Sequence, residues 1–433
     1  MKLFGSSGMR ALFNKELLAT AFRVGLAVGR NYPNIIIAGD TRTSGDAMKH
    51  AVISGLLASG AYCQDAGVAP TPTLAYAARE FDAGVMITAS HNPPEYNGIK
   101  LFNPDGSSFN SAQQEMVEGM VLAESYDVAD WEKTGRSGVF QGAIENHVKA
   151  ILSNFPSHLN IRVVVDAGGG AASEVTPRLL EELGCKVVTL NCRPDGFFPR
   201  GSEPVASNLK ELCNSVKESG AAVGIAHDGD ADRMMAVDEK GLFISGDVML
   251  AILAKAVGAR DMVTTLDASM AIDDMGLNIR RTKIGDTFVS EELKKGGDFG
   301  GETSGAWIFP AISLCPDGIY AAAQIAALAA ENKLSELADA VPVYPLFRGS
   351  ISSKGLEMRR LQADLLSLKP VSVGNADGIK LDFNDGWLLV RPSGTEPKIR
   401  ITAEAKTELR ARELFDACLG VIEKSADSGV KAN

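Results

Sequence analysis

Three stretches of the chain repeat one pattern, in which a short β-branched run ends in Asp and a longer run of helix formers follows. Ile35-Ile36-Ile37-Ala38-Gly39-Asp40 precedes residues 48–59, and Arg162-Val163-Val164-Val165-Asp166 precedes residues 171–183, with Gly184 as a helix stop. Met262-Val263-Thr264-Thr265-Leu266-Asp267 precedes a helical stretch expected from Ser269. Unbroken apolar runs of this kind read as strands that need helices on both faces. Their spacing suggests three copies of one α/β unit, although any α/β protein offers such runs.

Each unit holds a second strand that runs into a polar loop. Gly84-Val85-Met86-Ile87 leads into Thr88-Ala89-Ser90-His91-Asn92-Pro93, and Ala222-Val223-Gly224-Ile225-Ala226 leads into His227-Asp228-Gly229-Asp230-Ala231-Asp232-Arg233. In the third unit, Asp298-Phe299-Gly300 leads into Gly301-Glu302-Thr303-Ser304-Gly305. Loops at the carboxyl ends of strands are where open α/β sheets bind ligands, so three such loops are expected at one cleft. After Pro345 the pattern changes to short strands, with turns at Asn375-Ala376-Asp377-Gly378 and Asn384-Asp385-Gly386, and a helix over residues 408–424. The expected architecture is α/β: domains over 1–147, 148–248 and 249–342, and a smaller α+β domain over 343–433.

The length of 433 residues and 45% hydrophobic content provide several cores and exclude a mini-protein or a disordered chain. With 43 basic against 54 acidic side chains the net charge is −11, which argues against gripping nucleic acid or anionic membrane through bulk charge. Anionic ligands then need a focused basic site. Six cysteines without disulfide or zinc spacing, and no apolar stretch long enough to span a membrane, point to a cytoplasmic protein.

Asp228, Asp230 and Asp232 crowd three carboxylates into five residues, which is costly without a cation; hard oxygen ligands favour Mg²⁺. A solvated acidic turn is the plain alternative. An EF-hand is excluded because Arg233 and Met234-Met235-Ala236-Val237 stand where further ligands are needed. Ser90 lacks the elbow of a serine hydrolase; facing a metal, it is suited to carrying a phosphoryl group, although its spacing alone fits a structural N-cap or turn serine better. Arg391, Ser393, Thr395, Lys398 and Arg400 around Gly394 can hold a phosphate, unless this is a solvated hairpin with surface charge. Glu302 and Ser304, held between glycines, suit sugar hydroxyls. Arg10, Arg42 and Lys100 each read singly as surface cations, and His91 and His227 as packing residues. Gly168-Gly169-Gly170 does not complete a dinucleotide fingerprint, because Ser173 takes the last glycine position.

Together, Thr88–Pro93, Asp228–Arg233, Gly301–Gly305 and Arg391-Pro392-Ser393-Gly394-Thr395-Glu396-Pro397 resemble the four loops of the α-D-phosphohexomutase family, in the family's order, and with Phe4–Arg10 they span nearly the whole chain. The resemblance implies three mixed-sheet α/β/α domains and a fourth smaller domain around a central cleft. It implies phosphorylation of Ser90, and one Mg²⁺ held by Asp228, Asp230, Asp232 and a phosphoserine oxygen. Glu302 and Ser304 would grip the sugar, and Arg233, Arg391, Ser393, Gly394, Thr395 and Arg400 would bind substrate. Arg10, His91, Lys100 and Lys283 would serve the reacting oxygens. A sugar monophosphate would turn over through a hexose 1,6-bisphosphate, which is also the activator, in a monomer or homodimer with no nucleic-acid or membrane partner. Departures bear on the sugar: Ala306 follows Gly305 where many relatives have His, and Ser6-Ser7 stands where many have Thr. Lys283-Ile284-Gly285-Asp286-Thr287-Phe288-Val289 is similar to the corresponding stretch of phosphoglucosamine mutases. Glucosamine 6-phosphate is therefore the leading substrate, with mannose or glucose phosphate as alternatives and a non-catalytic sugar-phosphate binder as a further one.

Overall fold

The computed structural model describes residues 3–5, 7–156, 158–354, 356–392 and 398–430, the side chains of 426–430 excepted. The chain forms two compact bodies, residues 1–263 with 285–340, and residues 264–284 with 341–433.

In the first body, strands β1 (Met9–Leu12), β2 (Asn34–Gly39), β3 (Tyr62–Val68), β4 (Ala83–Ile87), β5 (Tyr96–Phe102) and β6 (Ser137–Val139) make one mixed sheet in the order β1-β5-β4-β2-β3-β6. Strand β2 runs parallel to β3 and β4, whereas β5 is antiparallel to β4 and β1. The sheet is covered by helices among α1 (Lys15–Asn31), α2 (Gly45–Ala58), α3 (Thr71–Ala77), α4 (Ser111–Ala123) and α5 (Ala143–Leu152). Period-two alternation sends Ile35 and Ile37 into one core and Ile36 and Ala38 into another. That is why the run Ile35–Ala38 carries no polar residue. Helix α1 starts where the Asn14 side chain accepts the Leu17 N–H at 2.8 Å. It packs on α2 through glycine: a Cβ at Gly25 would stand 2.3 Å from the Val52 carbonyl, and one at Gly55 2.1 Å from that of Phe22.

The second sheet uses β7 (Arg162–Asp166), β8 (Lys186–Leu190), β9 (Val223–His227) and β10 (Met234–Val237) in the order β10-β9-β7-β8, with α6 (Ala172–Glu182) and α7 (Lys210–Ser219). Gly184, at φ +87°, ends α6 as expected. The glycines at 168–170 serve packing. A Cβ at Gly170 would lie 2.5 Å from the Gly229 carbonyl, so this run lets the Asp228–Arg233 loop press against the turn that follows β7.

The third sheet, order β12-β11-β13-β14, comprises β11 (Asp261–Thr265), β12 (Asn278–Thr282), β13 (Phe299–Gly301) and β14 (Trp307–Ile308), accompanied by α8 (Gly246–Ala256), α9 (Asp286–Leu293), α10 (Gly318–Glu331) and α11 (Leu334–Asp339). The division between the bodies falls within β11. The helix expected from Ser269 is instead a six-residue 3₁₀ turn, Met270–Met275. The Ser269 hydroxyl accepts the Ala271 N–H to start it, and left-handed Gly276 ends it before a helix can propagate.

The second body holds an all-antiparallel sheet, β15 (Leu346–Ser352), β16 (Ser372–Gly374), β17 (Ile379–Phe383), β18 (Gly386–Pro392) and β19 (Lys398–Ala405), in the order β15-β19-β18-β17-β16. The two hairpin turns fall where the Asn/Asp-Gly signals stand. Helices α12 (Met358–Leu365) and α13 (Glu408–Val430) contribute Leu361, Leu365, Leu414 and Ile422 to a core shared with Leu381, Val390 and Ile401. The fold is thus three mixed α/β sheets and one smaller antiparallel domain. Among the described residues, no helix is long and apolar enough to cross a membrane.

Candidate active site

Strand β4 stops at Ile87, and the next residues turn sharply. Thr88 braces the turn: its hydroxyl accepts the Ser90 N–H at 2.8 Å and donates to Asp40 Oδ2 at 2.6 Å. Ser90 sits at φ +50°, a conformation that disfavours any residue with a Cβ. The surroundings hold it there. Arg42, 3% exposed, spends its donors on this one loop. Its Nη2 reaches the carbonyls of Ser90 (2.8 Å) and Asn92 (2.7 Å), and Nη1 those of Pro93 (2.6 Å) and Tyr96 (2.8 Å), while Nε meets Asp40 at 3.1 Å. The reading of Arg42 as a surface cation is therefore corrected; its fork is buried because it gathers four main-chain carbonyls of one loop, of which those of Asn92 and Pro93 also accept from the Ser202 hydroxyl and the Tyr96 N–H. Burial is the largest influence on Asp40 and raises it to about 6, with Arg42 opposing.

The Ser90 hydroxyl donates to Asp228 Oδ2 at 2.8 Å, joining the serine loop to the acidic loop between β9 and β10. This is not a solvated turn: Asp228, Asp230 and Asp232 are all buried, and one ligand atom from each lies within 4.8 Å of the others. Ala231 at φ +60° reverses the chain between the second and third carboxylates. Thr71, the first residue of α3, donates its hydroxyl to Asp230 Oδ2 at 2.5 Å and its N–H to the Asp230 carbonyl at 2.8 Å. Lys100, on β5 and 4% exposed, reaches Asp230 Oδ2 at 2.7 Å and Asp232 Oδ2 at 2.5 Å. Burial disfavours the Lys100 charge, but Asp230 and Asp232 outweigh it and hold its pKa above the ordinary range.

One ammonium does not satisfy this loop. Asp230 Oδ1 and Asp232 Oδ1 are buried without a hydrogen-bond partner. Burial, then repulsion from Asp232 and Asp230, pushes Asp228 well above the usual carboxylate range. Orphaned hard oxygens and strained carboxylates are the signature of a place for a divalent cation, so the donor set fits Mg²⁺.

The expected cations and His91 rim this region. Arg10 donates to Asn92 Oδ1 at 3.3 Å and to the Ser7 carbonyl at 3.4 Å. His91 Nδ1 lies 3.4 Å from Ser90 Oγ; burial first, then Arg233, Arg10 and Lys100, lowers its pKa to about 2, so the ring is neutral. The sugar loop is tied to the acidic loop by backbone: Met234 N–H bonds the Gly305 carbonyl at 3.0 Å, and Arg233 bridges Ala306. Glu302 accepts the Gly285 N–H at 2.7 Å, and Ser304 Oγ lies 3.5 Å from its other oxygen. Arg233, in contact with Glu203 at 3.4 Å, stays charged against burial because Asp228 and Asp232 lie nearby.

Models of the phosphoglucomutase/phosphomannomutase alpha/beta/alpha domains I, II and III match residues 1–127, 143–241 and 245–344, and that of the C-terminal domain matches residues 347–420. The chain belongs to the α-D-phosphohexomutase family. Among relatives of this phosphohexomutase, proteins named probable phosphoglucosamine mutase from Methanosarcina barkeri and Methanococcoides burtonii are 47% and 46% identical to it. The first covers 100% of both chains, and the second 98% of this chain and 100% of its own. A crystal structure of a phosphoglucomutase/phosphomannomutase family protein from Burkholderia thailandensis superposes with TM-score 0.87 at 25% identity, covering 98% of this chain and 97% of its own.

The remaining expected residues of this phosphohexomutase lie in the second body. Lys283 follows β12. Arg391 and Arg400 stand opposite each other on β18 and β19, a like-charge pair that destabilises a sheet unless an anion joins it. Arg391 meets Asp377 at 3.0 Å, and its buried Nε has no partner. Ser393, Gly394 and Thr395 lie outside the described residues. The sequence reading gave no role to Thr71, Thr88, Asp40 or Arg42. The spacing Asp40-x-Arg42 after a buried strand was the one available signal. Ser7 was missed as well; its hydroxyl donates to Asp286 at 2.5 Å, linking the first loop to α9.

Proposed function

We propose that this chain interconverts glucosamine 6-phosphate and glucosamine 1-phosphate through a phosphorylated Ser90. The observation that carries the reading is the Ser90 hydroxyl, held in a left-handed turn 2.8 Å from Asp228 in a buried acidic loop with two orphaned carboxylate oxygens. The leading sugar rests on the names of full-length relatives and on the 283–289 stretch.

Asp228, Asp230 and Asp232 would hold Mg²⁺ with a phosphoserine oxygen; bound there, the ion supplies charge that neutralises the phosphoryl group in flight. Glu302 and Ser304 orient the sugar through its hydroxyls, and Arg391, Arg400 and the 393–395 loop hold the phosphate that is not reacting. Transfer forms a bond from the sugar 1-oxygen to phosphorus and breaks the Ser90 Oγ–P bond, whose electron pair stays on Oγ. The sugar hydroxyl proton passes to the Ser90 Oγ that leaves phosphorus; His91, whose buried ring resists protonation, stays neutral beside that oxygen at 3.4 Å. Lys100 stays cationic and steadies the developing charge. The hexose 1,6-bisphosphate then presents its 6-phosphoryl group to Ser90; that O–P bond breaks, O6 takes back a proton, and the 1-phosphate leaves.

Incubation with glucose 1,6-bisphosphate followed by intact-mass measurement should show one added phosphoryl group on the wild type and none on Ser90→Ala. Turnover of glucosamine 6-phosphate should require that modification and Mg²⁺. Full activity of Ser90→Ala would sink the proposal, and at least a tenfold preference for mannose or glucose phosphate would reassign the sugar.

A further inference from the structure

His147 lies on α5, wholly buried, outside the residues assigned above. Its Nδ1 meets the Thr73 hydroxyl at 3.0 Å and its Nε2 meets Asp317 Oδ2 at 2.9 Å. Thr73 and Asp317 are buried as well, and the Tyr76 ring stacks on the imidazole with centroids 5.2 Å apart. The two partners belong to helices that reach the acidic loop from different sides. Thr73 is on α3, whose first residue, Thr71, grips Asp230 by hydroxyl and backbone N–H. Asp317 caps α10 by accepting the Tyr320 N–H at 2.8 Å, and its neighbour Gly318 is pressed onto the loop: a Cβ there would stand 2.7 Å from the carbonyls of both Ala231 and Arg233.

We propose that His147 is a positioning residue for the cation site. It ties α3 to α10, so that Thr71 occupies Asp230 Oδ2 and turns the orphaned Oδ1 inward, while Gly318 backs the left-handed turn at Ala231. A bond made directly to a ligand, such as that of Thr71 to Asp230, orients it, and its loss costs about 10- to 100-fold in metal affinity; His147 acts one step further out, through Thr73 and Asp317. The inference rests on the reading of Asp228, Asp230 and Asp232 as the Mg²⁺ ligands.

Isothermal titration of the full-length, dephosphorylated protein with Mg²⁺ alone tests it. His147→Ala should raise Kd about threefold or more, less than the loss of a bond made to a ligand itself. His147→Gln, whose amide can accept from Thr73 and donate to Asp317, should recover most of that loss. Thr73→Val, which removes one hydroxyl at nearly constant shape, should weaken binding in the same direction if His147→Ala does not fold. Ile151→Ala empties core space one turn along α5 and should lower the melting temperature without moving Kd. Two results would overturn the inference: a Kd within twofold of wild type in both His147→Ala and Thr73→Val, or an equal shift in Ile151→Ala. A wild type that binds no Mg²⁺ would instead remove the cation site itself, and this inference with it.

Discussion

Arg42 Nη2 donates to the main-chain carbonyl of Ser90 at 2.8 Å, so the proposed nucleophile is aimed from behind by a buried guanidinium. Three more carbonyls of the same loop share that fork. The loop conformation is strained at Ser90, and a strained residue persists only when its neighbours over-determine it.

Arg42→Lys should therefore be a severe change despite conserving charge. A lysine offers three donors from one point and cannot span all four carbonyls; a buried one left unpaired, such as that of Ser90, costs about 1–3 kcal/mol. We expect kcat to fall at least tenfold with less than a twofold change in the sugar phosphate KM, measured on fully phosphorylated enzyme. An unchanged kcat would show that the fork does not aim Ser90.

Ala231 holds φ +60° with its side chain wholly buried. Ala231→Gly relieves the left-handed strain and should keep its response to Mg²⁺. Ala231→Val places a β-branched residue in that conformation and should cost about 2 kcal/mol or more. Thermal melts with and without EDTA check both: chelation should lower the melting temperature of wild type and Ala231→Gly, and leave Ala231→Val nearly unmoved.

His227 gives a signed pH prediction. It sits between Thr176 (3.0 Å) and the Arg233 carbonyl (3.2 Å), and burial lowers its pKa from 6.5 to about 4. The folded protein keeps the ring neutral where the unfolded chain would protonate it. Its stabilisation is present in full above pH 6.5 and is lost as pH falls towards 4, a change of about 3 kcal/mol. Asp40, raised to about 6, has the opposite slope, its contribution fading as pH rises through that value. The difference between wild type and His227→Gln in metal-free buffer isolates the histidine. That difference should shrink as pH drops from 6.5 to 4, and a constant difference would contradict the assignment.

Arg391→Gln removes half of the opposed pair on β18 and β19. If those guanidiniums hold the distal phosphate, KM should rise about tenfold for the 1-phosphate and the 6-phosphate alike, since each end is held there in turn. Phosphorylation of Ser90 by the bisphosphate at saturating concentration should persist. A rise confined to one substrate would argue against a shared distal site.

The linear pattern was enough for the three buried strand runs, the glycine stop at Gly184, the two hairpins after Pro345 and the order of four chemical loops. These features are local: periodicity, turn chemistry and motif spacing are properties of neighbouring residues. The helix expected from Ser269 failed because a serine cap and Gly276 closed a single turn, and propensity alone does not set such an end. Whether Ser90 was a turn residue or a nucleophile was likewise open in the sequence. The contact that supports the proposed nucleophile is with Asp228, 138 positions away, and chain order does not encode it.

What the sequence by itself determined was the set of reactive side chains and the class of sheet that carries each one. Only the tertiary structure decided which of them act together, and which apparently ordinary residues hold them. Arg42 became a brace because buried carbonyls must be paired, Thr71 a carboxylate anchor because α3 begins against Asp230, and His147 a link between helices that are far apart in the chain. Burial makes these contacts matter. An unpaired donor, acceptor or charge is tolerated in water and costly inside a protein, so their energetic weight arises only once the chain has folded around them.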